Sequence, residues 1–320
     1  MDSITQATLG ASIGHALLGK KLRWKASVLG AGVATIPDLD VLLTPFFTEI
    51  QKVSLHRGYS HSVLFITFLS LFLYFILRKR KIFQDVSSIR LILMLYLTLL
   101  THLVLDTFTS YGTQLFLPFT DWRVSFDSIS IIDPFYTVPL LLGLLASLWA
   151  QRARRSSFLK PNTIGLILSS LYLAFTLVNK TRVDQEFNQA LNSKSISTID
   201  LLTVPVKVGN VHWYGVGNDG ANLHIGQYNI LKKEPINFQS FPINDHLLDE
   251  VDSEIVDRMR WFAKDFYTVA KLEDKIRIYN MQCDMQGIRT FGDYRAPTAF
   301  YYEIYIDSLG SSILGSGMHK

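Results

Sequence analysis

The sequence holds one cysteine, Cys283. A lone thiol cannot close an internal disulfide or build a cysteine-rich zinc site, so any metal held here must be taken by imidazole and carboxylate. No His-Glu-x-x-His occurs, which removes the helical metalloprotease motif. A positive region at the amino terminus is also missing: Asp2 stands there, and Thr5, Gln6, Thr8 and Ser12 dilute the apolar stretch that follows. A cleaved secretory signal is therefore not expected, and the first segment should remain in the mature protein. Long apolar runs are scarce after residue 180, where acidic residues slightly outnumber basic ones. Before it the balance is basic, but the basic residues sit in short connections between apolar runs rather than as a stripe on a soluble face. The net charge of +4 is thus an average over two unlike halves and no sign of nucleic-acid binding.

What is present in the first half is apolar length. Ser62–Leu77, Arg90–Leu105, Ile131–Ala150 and Thr163–Val178 are each long and apolar enough to read as membrane spans. Ile4–Leu18, rich in small residues, and Ala26–Leu43, interrupted by Pro37, are weaker and read as spans or as re-entrant half-spans. Basic clusters at Lys20–Lys25, Arg78–Lys81 and Arg152–Lys160 fall in three connections that the positive-inside rule places in the cytoplasm. The expected architecture is an all-α polytopic membrane bundle of about six spans or half-spans over residues 1–180. A small soluble α+β domain should follow over residues 181–320, outside the cytoplasm. In that domain Leu201–Val216 and Leu223–Leu231 read as a hairpin about a Gly217–Gly220 turn, Leu247–Leu272 as a helix, and Lys275–Met281 and Thr298–Ile306 as strands. Its histidines, His212, His224 and His246, have no ligand-like spacing.

Three polar stretches end apolar runs: Pro37-Asp38-Leu39-Asp40, His56-Arg57-Gly58-Tyr59-Ser60-His61 and His102-Leu103-Val104-Leu105-Asp106. The six-span topology puts all three on the non-cytoplasmic face, together with Asp133. Ionisable groups at membrane depth are costly and face a polar interior, so their recurrence reads as one site. His102 and Asp106, four apart, share one helix face. His56 and His61 are five apart, which suits a loop residue and a helix residue; Gly58 would permit the turn and Ser60 would cap the helix opening at His61. Arg57 suits an anion or a developing negative charge. Asp38 and Asp40 can converge only from an extended or kinked segment, and they need a cation or an arginine as partner. The metal ligands expected are Asp38, Asp40, His56, His61, His102 and Asp106. Asp38, Arg57 and Asp133 are the expected catalytic groups. Imidazole with carboxylate suits zinc, or manganese or iron, with one or two ions equally compatible with the pool. His15, toward the cytoplasmic end of the first segment, is excluded; Gln6 lies on the correct face for a supporting contact.

At these residues the chain resembles the YdjM-like family of bacterial inner-membrane proteins, described as LexA-regulated, membrane-bound metal-dependent hydrolases. The matching stretches are Met1–Ala7 with Leu9-Gly10-Ala11, the Pro37–Asp40 element, His56–Ser62, Thr101–Asp106 continuing to Tyr111–Gln114, and Ile132-Asp133-Pro134. The resemblance covers roughly residues 1–180 and implies a metal-dependent hydrolase in the bacterial inner membrane, with Asp38, Asp40, His56, His61, His102 and Asp106 in the site. It names no substrate and says little of the second half. The expected partners are the lipid bilayer and a lipid-linked phosphate or ester substrate; sequence sets no oligomeric state. The competing expectation is a metal-binding transporter or sensor without hydrolytic activity. Against it stand the absence of an internal repeat and the near absence of ionisable residues in the inner halves of the spans.

Overall fold

A computed structural model describes residues 1–206, 208–272, 275–282, 301–306 and 312–317; Cys283 and residues 298–300 of the expected last strand lie outside the described residues. The chain divides into two compact units: Met1–Pro45 with Leu55–Val178, and Phe46–Ser54 with Asn179–Lys320.

The first unit is helical. Helix α1 (Ser3–Leu22) opens at Asp2, whose carboxylate accepts from the Thr5 amide, and α2 (Trp24–Ala34) follows after Arg23 turns the chain. Their contact is close because it is made by glycines. A Cβ on Gly10 would stand 2.4 Å from the Gly30 carbonyl oxygen, and one on Gly30 would stand 2.0 Å from that of Gly10. Small residues let membrane helices meet in this way, where packing rather than hydrophobic burial drives association. After α2 the chain continues as a 3-10 segment, Pro37–Phe46, and then α3 (Glu49–Leu55), of which all but Leu55 is grouped with the second unit. A 3-10 turn, Tyr59–His61, leads into α4 (Val63–Arg78), and the short α5 (Lys81–Gln84) precedes α6 (Ser88–Thr107). Helix α7 (Pro134–Arg152) and the 34-residue α8 (Lys160–Ser193) complete the set.

Helix α6 is the centre of this unit and packs against α1, α2 and α4. One of its faces, Met94, Thr98, His102 and Asp106 at strict four-residue spacing, is at most 1% exposed along its whole length and passes from apolar to polar toward its carboxyl end. Leu91, Leu95, Leu99 and Leu103 form the adjoining buried row, against Ile66 of α4.

Among the described residues three helices, α6, α7 and α8, are long and apolar enough to cross a membrane, or up to five segments if each bent pair is one span: α2 with Pro37–Phe46, bent by 41°, and Glu49–His61 with α4, bent by 53°. The six spans expected from sequence are not reached. Helix α1 has the length but is not among the candidates, since Thr5, Gln6, His15, Lys20 and Lys21 dilute it. The expected span Thr163–Val178 lies inside α8, whose length of about 50 Å exceeds the ~30 Å of a hydrocarbon core; the boundary between the units falls within this helix.

The second unit contains two antiparallel four-stranded sheets. β1 (Asp200–Pro205), β2 (His212–Asn218), β3 (Asn222–Asn229) and β4 (Phe238–Pro242) form one in sequential order; β5 (Tyr267–Leu272), β6 (Lys275–Asn280), β7 (Tyr301–Ile306) and β8 (Ser312–Gly317) form the other. The single strand expected over Leu201–Val216 is two strands paired with each other, with Leu202 opposite Val216. The expected helix over Leu247–Leu272 holds only for α9 (Ser253–Ala263); its last six residues are β5, where cross-strand pairing, Val269 opposite Ile278 of β6, overrides helical periodicity. In the first sheet the Phe187 ring of α8 fills the space a Cβ on Gly215 would need, 2.3 Å away, among Val183, Trp213 and Tyr228.

Charge in this unit is tied to pairing across strands. Glu303 stands opposite Arg277 in the β6–β7 ladder, accepting from its Nε at 3.0 Å, and also accepts from Tyr305 at 2.8 Å and pairs with Lys275 at 2.9 Å. Burial would raise the Glu303 carboxyl, but these donors outweigh it and hold it at about 2. The same balance sets Asp219: burial raises it, while the Asn222 amide, His224 and the Ala221 amide bring it to about 2. A depressed folded-state pKa stabilises above the unfolded value near 4 and is lost as pH falls toward 2. Glu303→Gln should therefore cost the second unit about 1–3 kcal/mol at neutral pH and flatten its acid unfolding between pH 4 and 2. Hydrogen exchange of residues 267–280 in the full-length protein is the check.

Candidate metal centre

Four ligand-type side chains from three segments converge in the first unit: Asp38, His61, His102 and Asp106. Helix geometry brings His102 and Asp106 together, with His102 Nε2 3.6 Å from Asp106 Oδ2. His61 arrives from the 3-10 turn before α4 and Asp38 from the 3-10 segment after α2. His61 Nε2 lies 3.2 Å from His102 Nε2, 3.3 Å from Asp38 Oδ1 and 3.4 Å from Asp106 Oδ2, and His102 Nε2 lies 3.4 Å from Asp38 Oδ1. Donors about 2.0–2.1 Å from one ion sit roughly 3.3–3.4 Å apart at tetrahedral corners, so the spacing fits one zinc-sized cation. Asp106 Oδ2, buried and without a hydrogen-bond partner, is the orphaned atom such a cation would satisfy.

The surroundings fix the orientation of each donor. His61 Nδ1 lies 2.9 Å from Ser60 Oγ and 3.5 Å from Asp40 Oδ2, and Ser60 donates to the same Asp40 oxygen at 2.9 Å. Asp40 therefore stands behind His61, a carboxylate supporting an imidazole whose other nitrogen faces the cluster. Its Oδ1 lies 3.0 Å from His56 Nδ1. The sequence expectation that Asp40 and His56 are ligands is thus not matched by the cluster: both line its back, and His56 packs edge-on against Tyr111. Asp106 Oδ1 accepts from the Met1 amine and from Gln6 Nε2 at 3.1 Å, with Arg57 Nη2 at 3.3 Å, which leaves Oδ2 for the centre.

Arg57 is buried, donating to Thr109 Oγ1 at 2.8 Å and to the Asp106 carbonyl at 3.3 Å, with its guanidinium over the Tyr111 ring. The sequence places the turn of this loop at Gly58. In the structure Arg57 itself takes the left-handed conformation, φ 58°, held by its amide bond to Asp40 Oδ2 at 3.2 Å. Such strain costs on the order of 1–3 kcal/mol and persists where neighbours enforce it. Likewise Ser62, not Ser60, caps α4, accepting from the Phe65 amide at 3.1 Å.

Asp133 is the clearest departure from expectation. It caps α7 through the Phe135 amide at 3.0 Å and accepts from Tyr172 OH at 2.7 Å, and it is not a member of the cluster. An Asp-Pro pair at a helix start is a capping signature, and the Asp133 carboxylate is engaged in that cap and with Tyr172. Asp133→Asn should destabilise the protein by about 1 kcal/mol and leave bound metal per chain unchanged by elemental analysis. His15 lies nine residues beyond Gln6 on α1, 3.3 Å from Ser27, and is also outside the cluster. Sequence reasoning left unassigned Thr109, Tyr111 and the Asp40–His61 support, whose partners are distant in sequence; only the run Tyr111–Gln114 in the resemblance marked that loop.

The family model described as YdjM inner membrane protein matches residues 1–183, which include every residue of the cluster. The chain belongs to the YdjM inner membrane protein family. Its relatives include the uncharacterized protein YfhP of Bacillus subtilis (strain 168), 25% identical over 206 residues, 62% of this chain and 61% of that protein. Inner membrane protein YbcI of Escherichia coli (strain K12) is 34% identical over 109 residues, 34% of this chain and 61% of that protein. The chain thus spans about three-fifths of the length of each. No solved structure matches it. Membership of the YdjM family and the apolar helices fit a bacterial inner-membrane location.

Proposed function

We propose that this chain is a membrane-bound metal-dependent hydrolase acting at the outer face of the inner membrane. The observation that carries the reading is the four-donor cluster of Asp38, His61, His102 and Asp106, three of them closed from solvent and Asp38 partly open. Those four residues would hold one divalent cation, zinc by donor set, with manganese or iron as alternatives. When bound, the ion supplies Lewis acidity and lowers the pKa of a water. The protein's own groups do the rest. Asp38, the one member with solvent access, accepts the proton of the attacking water. Arg57, already fixed by Thr109 and Asp106, stabilises the negative charge that develops on the substrate oxygen. Asp40 and Ser60 hold His61 in the tautomer that turns Nε2 inward. The basic connections on the opposite side of the helices support an extracytoplasmic site and second unit.

Purified protein in detergent, loaded with zinc and offered phosphate and carboxylic esters, tests the reading. Wild type should turn over one class while His61→Ala and Asp106→Ala lose both metal and turnover. Wild-type metal binding and turnover in both variants would contradict it. A metal-binding transporter or sensor is the second reading, favoured by Ser12, His15 and Asn162, buried deeper in the bundle with Ser12 Oγ, His15 Nε2 and Asn162 Oδ1 unpartnered. Zinc flux into proteoliposomes without any hydrolysis would favour it.

A further inference from the structure

The open member of the cluster is followed in the chain by exposed apolar side chains. His61, His102 and Asp106 side chains are at most 1% exposed, and the opening lies at Asp38, 23% exposed. Leu39, Leu42 and Leu43, which follow Asp38 in the same 3-10 segment, are 51%, 65% and 49% exposed, and Tyr59, two residues before His61, is 66% exposed. The loop after α6 adds Phe119 and Trp122, 82% and 61% exposed, before it returns to pair Val124 with Thr113. An amphiphile lying in the membrane can rest its hydrocarbon chain on the exposed leucines that follow Asp38 in sequence, a contact that a hydrated solute does not make.

The second observation concerns charge. Arg57 is 6% exposed, yet its Nε carries a hydrogen without an acceptor among the described residues, while its other nitrogens are committed to Asp106 and Thr109. A buried guanidinium donor left open calls for an anionic oxygen. Arg123 lies over the same Tyr111 ring as Arg57, each 5.0 Å from its centre, so a second buried guanidinium adds positive field to that place. A carboxylic ester is uncharged before attack and would engage such a pair only as its oxyanion develops; a phosphate ester carries its charge throughout and engages it from binding onward.

Resting on the hydrolase reading above, we infer that the substrate is a membrane amphiphile with a phosphate ester in its headgroup. An anionic phosphate oxygen accepts from Arg57 Nε, and the hydrocarbon chain lies over Leu39, Leu42 and Tyr59. In the reaction the oxygen of water forms a new bond to phosphorus, the bond from phosphorus to one ester oxygen breaks, and that oxygen leaves as an alcohol. The proton it takes up is the one Asp38 receives from the water.

The test uses full-length zinc-loaded protein in mixed micelles. Dioleoyl phosphatidic acid and dioleoyl phosphatidylglycerol are the lipid probes. Glycerol 3-phosphate and glycerophosphoglycerol present the same headgroups without chains, and 4-nitrophenyl butyrate is the carboxylic ester. At least one lipid should be cleaved with kcat/KM ten times or more that of its chainless counterpart, and Leu42→Gln should lower that ratio. Binding gives a readout apart from turnover: calorimetric titration of metal-free protein with dihexanoyl phosphatidic acid should weaken at least tenfold in Arg57→Lys, which keeps the charge and removes the planar guanidinium fork, the Nε donor included. Equal or better cleavage of the chainless compounds overturns the amphiphile and leaves the hydrolase standing. Cleavage of the butyrate alone, or unchanged binding in Arg57→Lys, overturns the phosphate. No cleavage of any probe by metal-loaded protein removes the hydrolase reading and this inference with it.

Discussion

His61→Ala strips the ion from the protein. Metal sites of four protein ligands bind with apparent free energies of about 10–16 kcal/mol, so each ligand carries roughly 3 kcal/mol, and losing one weakens binding by about 10²- to 10³-fold. His61 should lie at the upper end. Its Nε2 makes the shortest contacts in the cluster, to His102, Asp38 and Asp106, and its Nδ1 is the atom through which Asp40 and Ser60 support the centre. His102→Ala removes a comparable donor, but its Nδ1 is without a partner, so no supporting contact is lost with it. Asp40→Asn should be milder, about 10- to 100-fold, as for other carboxylates behind a metal-binding imidazole. Competitive titration against a zinc chelator orders the three variants, and an Asp40→Asn loss as large as that of His61→Ala would make Asp40 a ligand after all.

Asp38→Asn should separate binding from chemistry. An amide oxygen retains a donor to the ion, while the group that takes up a proton is gone; general-base catalysis is worth typically about 10²–10⁴ in rate. The expected result is a fall of that size in kcat, with zinc affinity lowered no more than in the histidine variants and KM little changed. Asp38 is the choice because it is the member of the cluster open to solvent. A variant that loses zinc and turnover in equal proportion would make Asp38 a ligand alone and move the proton to another acceptor.

Much of this site could be read in the sequence because its spacing is local. His102 and Asp106 sit at a four-residue interval in an apolar helix, and no other arrangement of that helix would separate them. Pro37 and the unequal spacing of His56 and His61 pointed to kinked or looped segments, and 3-10 turns stand at both places. What sequence does not carry is which of several carboxylates faces inward. Asp38 and Asp40 differ by one residue, and only the position of His61 and Ser60 across the bundle makes one a donor and the other its support. Asp133 caps α7 and stands outside the cluster, and before a proline a helix cap and a catalytic carboxylate look alike in sequence. The expected count of about six spans or half-spans is not confirmed at α1, a helix that packs closely on α2 through glycines but is too polar in composition to be marked as a span. The β5 strand was hidden inside a helical pattern because its register depends on β6, a partner that periodicity within one segment cannot reveal.

On the reading proposed above, Asp38, His61, His102 and Asp106 hold one divalent ion. X-ray absorption at the zinc edge of purified, zinc-loaded full-length protein measures it directly. The arrangement predicts one ion per chain, with a first shell of two imidazole nitrogens and carboxylate oxygen at about 2.0–2.1 Å, and a loss of imidazole scattering in His102→Ala. Zinc below one-tenth of an equivalent, or a first shell without imidazole, would contradict it.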